Sequence, residues 1–404
     1  MQPTVPLTNS GSSGSPTAGA APRVHLLDFD PPELKRWLAA EKLESYRAEQ
    51  ILDWIYQRGA ESFEQMTNLS KGLRRWLTER ADILRGKVAR ESLASDGTRK
   101  LLLAWPDGGS VETVWIPSPD RQTACISSQV GCPVGCRFCA SGINGVERNL
   151  TAGEIVEQAL RISRMIVAQG AAVNESAVAG EVSAAKLQTD QKKTGYVPAG
   201  PRLSNIVMMG MGEPLANYRA VIKAIRTINA SWGLGIGARK ITLSTVGLPK
   251  QIRQLAEEDL QLNLAFSIHA PNDELRREII PWAEDIPLED ILAACRYYFD
   301  QTGREVTLEY VLLDEVNDRP KHADQLARVA KRIRANVNLM RYNPVAGLPF
   351  ERPSAEASQA FLQRLRINGV NAHIRTSRGL DADAACGQLR RATHAGGSTK
   401  PADV

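Results

Sequence analysis

Three cysteines set the chemistry this chain can do. Gly131-Cys-Pro-Val-Gly-Cys-Arg-Phe-Cys-Ala140 holds Cys132, Cys136 and Cys139 in a C-x3-C-x2-C pattern. Glycines at 131 and 135 let the backbone wrap so that three sulfurs converge. Three thiolates hold three irons of a [4Fe-4S] cluster and leave the fourth open, which four cysteine ligands would not do. An open iron can chelate the amino and carboxylate groups of S-adenosylmethionine, and electron transfer then cleaves its carbon–sulfur bond. The competing reading is structural zinc, which asks for four ligands. The five histidines, His25, His269, His322, His373 and His394, all lie far from the loop in sequence. A distant fourth ligand leaves that alternative open.

A second constellation is Met208-Met-Gly-Met-Gly-Glu-Pro214, which closes a predicted strand. Its glycines are expected to admit a ligand close to the backbone, and Glu213 to accept hydrogen bonds from a bound ammonium. Polar candidates recur at later strand ends: Ser244, then Ser267 and His269, then Asn343. In parallel barrels functional residues gather at the carboxyl ends of strands. A lone cysteine, Cys386, sits in the polar, glycine-flanked Asp381-Ala-Asp-Ala-Ala-Cys-Gly-Gln-Leu389 and is a candidate reactive thiol. Cys295, inside an apolar helical run, reads as a packing residue.

The elements that must position these residues follow from periodicity. Pro31 to Arg80 reads as a compact helical unit, with Leu34, Trp37 and Leu38 on one face and Ile51, Trp54 and Ile55 on another. Strand-like runs at Lys100–Trp105 and Val111–Ile116 flank a Pro-Asp-Gly-Gly turn. From Arg121 onward seven apolar, β-branched runs alternate with six helix-period segments. Such alternation predicts an α/β fold with a parallel sheet, here an open, partial (β/α)6 barrel behind a small N-terminal helical domain. The expected domains are a disordered tail over 1–22, a helical accessory unit over 23–100 and a β-hairpin linker over 101–120. The barrel follows over 121–390, with a non-catalytic insertion at 169–202, and then a tail over 391–404.

Composition narrows the setting. The 404 residues carry 50 Lys+Arg against 45 Asp+Glu, so net charge says little. Its distribution says more: Lys71–Lys100 holds nine basic and four acidic residues, compatible with a phosphate-bearing partner or with a solvated helix face. No stretch approaches the roughly 20 apolar residues of a membrane span, and residues 1–22 have no apolar core like that of a signal peptide. Four of six cysteines crowd into fifteen residues, which suits metal or redox chemistry in a reducing, cytoplasmic setting.

The motifs resemble a known family, the dual-specificity RNA adenine C2-methyltransferases of the radical S-adenosylmethionine superfamily. The resemblance spans about Pro31 to Arg390. It rests on Ser127-Ser-Gln-Val-Gly-Cys-Pro-Val-Gly-Cys-Arg-Phe-Cys139, Met208-Met-Gly-Met-Gly-Glu-Pro-Leu215, Ser267-Ile-His-Ala-Pro271 and Ala384-Ala-Cys-Gly-Gln-Leu389. It implies a two-cysteine mechanism that uses two S-adenosylmethionine molecules per turnover. Cys386 first accepts a methyl group; a 5′-deoxyadenosyl radical then takes a hydrogen from it, and the methylene radical adds to C2 of adenine. Cys125 resolves the adduct by pairing with Cys386. Glu112 matches the family's proton acceptor, a role Cys125 could also fill. Gly212, Glu213, Ser244, Ser267, Ile268, His269 and Asn343 match its S-adenosylmethionine contacts.

The implied substrates are 23S rRNA and tRNA, gripped through Arg74, Arg75 and the basic run that follows, with a flavodoxin-like or ferredoxin-like electron donor as a further partner. The chain departs from the pattern at Met340-Arg341, in the register after Ser244, and in the length of 169–202. Two rival readings are a C8-specific rRNA methyltransferase, which shares the cysteines, and a non-catalytic zinc and RNA-binding module.

Overall fold

The computed structural model describes residues 23–179 and 202–390, without the side chains of 171–179. The expectations for 1–22, most of 169–202 and 391–404 lie outside the described residues.

Three short helices open the chain: α1 (Pro31–Ala40), α2 (Arg47–Tyr56) and α3 (Lys71–Arg80). Asp30 caps α1 by accepting the Glu33 N–H at 2.7 Å, and Glu33 returns the bond to the Asp30 N–H at 2.8 Å. With Pro31 at the first helical position, this box fixes where the helix starts. Leu34, Leu38, Ile51, Ile55 and Leu77 are fully buried between the helices, each contributing about 1.5–3 kcal/mol of apolar transfer. Trp37 and Trp76 meet with ring centroids 5.1 Å apart. The two-strand ribbon β1 (Val24–His25) and β2 (Ala81–Asp82) closes the unit.

A ten-stranded sheet forms the rest of the core. Seven of its strands are parallel: β6 (Arg121–Cys125), β9 (Asn205–Met208), β10 (Ile241–Thr245), β11 (Asn263–Ser267), β12 (Thr307–Leu312), β13 (Asn336–Arg341) and β14 (Ala372–Arg375). They are the seven runs read from the sequence. The connecting helices are α4 (Ala152–Ala179), α5 (Tyr218–Asn229), α6 (Pro249–Ala256), α7 (Asp273–Ile279), α8 (Leu288–Thr302), α9 (Pro320–Arg332) and α10 (Ala355–Ile367). The sheet runs from β14 to β3 without joining its ends, the open architecture the six-unit pattern implies.

Two features differ from the expectation. Residues 87–93 form a strand, β3 (Lys87–Leu93), inside the stretch read as helical; β4 (Arg99–Ala104) and β5 (Ser110–Ser118) follow it antiparallel, and β5 pairs with β6. The hairpin therefore extends the main sheet instead of linking to it. Strand β3 is exposed along almost its whole length, so it lacks the apolar alternation that would reveal it. Helix α4 also continues to Ala179, past Gln169 where the insertion was expected to begin. Alanine at 171, 172, 177 and 179 favours helix.

One carboxylate ties the helical unit to the barrel. Glu157 on α4 is fully buried, accepts the N–H groups of Arg85 and Gly86 at 3.0 Å, and pairs with Arg161 at 2.8 Å. Gly153, at the start of α4, donates to Asp28 at 2.6 Å. Among the described residues no helix is long and apolar enough to cross a membrane.

Candidate functional site

The cysteine loop leaves the sheet after β6 and is framed by the ribbon β7 (Gln129–Gly131) and β8 (Val146–Asn149). Gly131 turns with φ +79°, and a Cβ there would lie 2.0 Å from the Gly145 carbonyl oxygen; only glycine fits. Cys132, Cys136 and Cys139 then line one cavity with Gly212, Glu213, Ser244, Ser267, His269, Asn343 and Cys386. Nearly the whole predicted rim is brought together. Ile268 is the exception among the cofactor candidates. Its side chain is in the core, and its N–H is taken by Phe266 and Glu309 carbonyls at 2.9 and 3.1 Å.

Burial pushes the Cys132 thiol up to about 12, and the Cys136 and Cys139 thiols upward as well. Such thiols become thiolates only against a strong positive charge, which a bound metal supplies. Among the described residues no three His, Cys, Asp or Glu side chains gather around a single ion-sized point. A [4Fe-4S] cluster would bind each of the three thiolates to a different iron. Arg276, almost fully buried on α7, stands close enough to draw the Cys136 thiol downward. Its Nη2 donates to the Val246 carbonyl at 2.5 Å, while Nε and Nη1 have no partner among the described residues. A buried cation with orphaned donors beside three thiols suits an anionic cluster.

Glu213 is buried at the end of β9. Its oxygens accept the Leu215 and Val246 N–H groups, both at 2.9 Å, yet burial still raises its pKa to about 7. The neighbouring glycine lines the cavity and also meets a packing demand of the chain itself. A Cβ on Gly212, at φ +101°, would lie 2.7 Å from Ser128 Oγ and Gln129 Cβ. The space belongs to the chain's own loop, which positions Glu213 through the Gln129 side-chain oxygen at 2.8 Å from the Glu213 N–H.

Ser244 and Ser267 share a hydrogen bond at 3.1 Å. His269 adopts left-handed φ +50°, and burial pushes its pKa down to about 3. Its Nδ1 accepts the Val311 N–H at 3.1 Å, which leaves Nε2 as the donor of the neutral ring.

Cys386 belongs to two cavities. The second is small, lined by Cys125, Met209, Asn343, Arg375 and Cys386 among others. Both cysteines are free thiols. Burial first, and Cys386 second, push the Cys125 thiol up to about 12, against the pull of Arg375. Arg375, at the end of β14, is itself held more basic by its neighbour Cys386. Glu112 lines neither cavity. Its carboxylate pairs with Lys100 at 3.0 Å and accepts the Arg390 N–H at 3.0 Å.

Three contributors went unmarked in the sequence. Asn317, fully buried, donates to the His269 and Val311 carbonyls at 2.8 and 2.7 Å and so fixes the histidine's unusual backbone. Glu309 lines the main cavity from the middle of apolar β12; a lone carboxylate in such a strand was its available signal. Arg276 gave none, because a charged residue on a short helix ordinarily faces solvent.

Comparison with known proteins decides the family. The chain is 44% identical over 367 residues to a probable dual-specificity RNA methyltransferase RlmN of Thermosynechococcus vestitus, covering 91% of this chain and 98% of the relative. It is 43% identical to the dual-specificity RNA methyltransferase RlmN of Syntrophus aciditrophicus, covering 91% and 96%. The chain belongs to the RlmN family. Residues 24–83 match the model of the ribosomal RNA large subunit methyltransferase N-terminal domain, so the helical unit is part of the family's architecture. The crystal structure of a radical SAM methyltransferase from Sphaerobacter thermophilus superposes with a TM-score of 0.80 at 43% identity, covering 91% of this chain and 99% of that one. Membership in this radical SAM family implies S-adenosylmethionine and a [4Fe-4S] cluster.

Proposed function

We propose that this enzyme methylates C2 of an adenosine in 23S rRNA and of the adenosine 3′ to the anticodon in tRNA, through a methylated Cys386. The observation that carries this reading is Cys386 standing on the wall between the three-cysteine cavity and the cavity of Cys125. Cys132, Cys136 and Cys139 would hold the cluster, with Arg276 beside them. When bound, the cluster with S-adenosylmethionine on its open iron supplies the 5′-deoxyadenosyl radical.

The protein's own groups divide the remaining work. Glu213 receives the methionine ammonium; Ser244, Ser267 and His269 Nε2 face the rest of the cofactor, and Asn343 borders it. Cys386 sulfur, as it gives up its proton, takes the methyl group of a first S-adenosylmethionine and S-adenosylhomocysteine leaves. Loss of one hydrogen atom leaves a methylene radical on Cys386, which bonds to C2. When C2 has lost its proton and the S–CH2 bond has broken, the carbon takes up a proton and becomes the product methyl group. The S–CH2 bond breaks as the Cys125 sulfur bonds to Cys386 sulfur; the disulfide so formed carries one extra electron, which the oxidised cluster would accept, and a thiol reductant would then reopen the pair. Arg375, beside both sulfurs, draws the Cys125 thiol downward against its burial.

The target base must leave its stack to reach this rim. Arg75 and Arg80 are exposed on α3 and supply phosphate contacts. Arg74 is committed elsewhere, donating to the Glu64 carbonyl at 2.7 Å. A reducing cytoplasmic setting suits a thiol pair that must be reopened after each turnover, with a flavodoxin-like or ferredoxin-like protein as electron donor.

The test is substitution of each thiol in the reconstituted enzyme. Cys386→Ala is expected to give no methylated RNA, and Cys125→Ala to trap a covalent protein–RNA adduct. Normal turnover by Cys386→Ala would refute the reading.

A further inference from the structure

The segment that carries Cys386 is gripped from outside the site. Lys100 on β4 and Glu112 on β5 are 5% and 2% exposed, and their charged groups lie 3.0 Å apart. Leu102 is the direct cross-strand partner of Glu112, so Lys100 is its diagonal neighbour on the same face. The pair does not spend its remaining hydrogen bonds on the sheet. Lys100 Nζ donates to the Asp383 carbonyl at 2.7 Å, and Glu112 Oε2 accepts the Arg390 N–H at 3.0 Å. Those two contacts bracket Cys386 on either side. The β3–β4 turn adds two more: Ser95 N–H to Asp381 at 2.8 Å and Gly379 N–H to Asp96 at 3.0 Å.

We propose that Lys100 and Glu112 are positioning residues, a buried clamp that fixes the Cys386 segment between the two cavities. Glu112 then acts through this clamp and not as the proton acceptor at C2. The proposal rests on Cys386 being the methyl acceptor. A buried ion pair with both charges mutually satisfied is weak evidence for stability; the two bonds it makes to the single segment that carries Cys386 give it a purpose. The antiparallel strands β3–β5 accordingly serve to hold the C-terminal segment against the barrel.

Methyl loading of Cys386 separates the roles, because it precedes RNA and needs no base at C2. Lys100→Met, Glu112→Gln and the double variant K100M/E112M are loaded with S-adenosylmethionine after cluster reconstitution, and the intact mass is followed. The double variant leaves no uncompensated buried charge, so it keeps the fold where single variants fail. The clamp predicts loading slowed by about tenfold or more in each, the loss expected for hydrogen bonds to charged groups, with unchanged iron content. Lys100→Arg restores it. Limited trypsin cleavage after Arg378 and Arg390 speeds up in the double variant. Wild-type loading in the folded double variant, with Glu112→Gln stalling only as an RNA adduct, would overturn the clamp and return Glu112 to the base role. A wild type that never carries a methyl group on Cys386 would remove the parent reading, and the trypsin comparison would still decide the clamp.

Discussion

Asn343 donates its side-chain amide to the backbone carbonyl of Cys386 at 3.0 Å, and its oxygen accepts from Ser377 Oγ at 2.7 Å. The residue that borders the cofactor cavity also holds the reactive cysteine. Asn343→Ala removes one hydrogen bond, worth about 1 kcal/mol, and is expected to slow Cys386 methylation about fivefold. Asn343→Asp turns a donor into an acceptor facing a carbonyl oxygen and is expected to be worse. Equal rates in both variants would show that the bond to Cys386 does not matter.

In the proposed reaction Cys125 would resolve the adduct as a thiolate, yet burial, with Cys386 beside it, pushes its thiol up to about 12. At neutral pH the thiolate is the minor form, and its fraction rises about tenfold per pH unit. The adduct's lifetime is therefore expected to shorten steadily from pH 7 to pH 9. Quenched-flow gels on a 32P-labelled RNA fragment read this directly. Arg375→Leu removes the cation that lowers the Cys125 pKa, and is expected to lengthen the adduct's life at every pH. A pH-independent lifetime would assign resolution to another group.

Glu213 has a pKa raised to about 7, mainly by burial. In the proposed reading a methionine ammonium would bind the ionised carboxylate, so affinity for S-adenosylmethionine is expected to rise with pH, about tenfold between pH 6 and 8. The stability effect has the opposite sign. The folded state holds the proton more tightly than the unfolded chain, so this group's contribution falls as pH rises from about 4.5 to 7 and then levels. Isothermal titration at pH 6, 7 and 8 with the reconstituted protein checks the affinity, and a flat profile would contradict it.

Gly212→Ala forces a methyl group to within 2.7 Å of Ser128 and Gln129 at a positive φ. The expected cost is about 3 kcal/mol, with loss of S-adenosylmethionine binding, because the Glu213 backbone is held through Gln129. Thermal melting and ligand titration measure the two effects; a variant with wild-type melting would show that the loop yields freely.

The seven parallel strands were legible because strands of this kind are continuous apolar runs separated by helical periods, as in Leu262–Ile268 and Val306–Leu313. The rim was legible because polar residues at strand ends interrupt those runs. Strand β3 was not, since an exposed edge strand carries no buried alternation. The roles of Lys100 and Glu112 were hidden for another reason: they depend on Asp383 and Arg390, nearly three hundred residues away in sequence. Asn317 and Arg276 likewise work through tertiary contacts to His269 and to the cysteine loop, which no local pattern records.

The central claim is C2 methylation of RNA adenosine. The direct measurement is anaerobic turnover of the reconstituted protein with 23S rRNA and tRNA, followed by mass spectrometry of the digested nucleosides. The expected product is 2-methyladenosine, lost in Cys386→Ala. 8-Methyladenosine, or no methylated adenosine from an enzyme with an intact cluster, would contradict it.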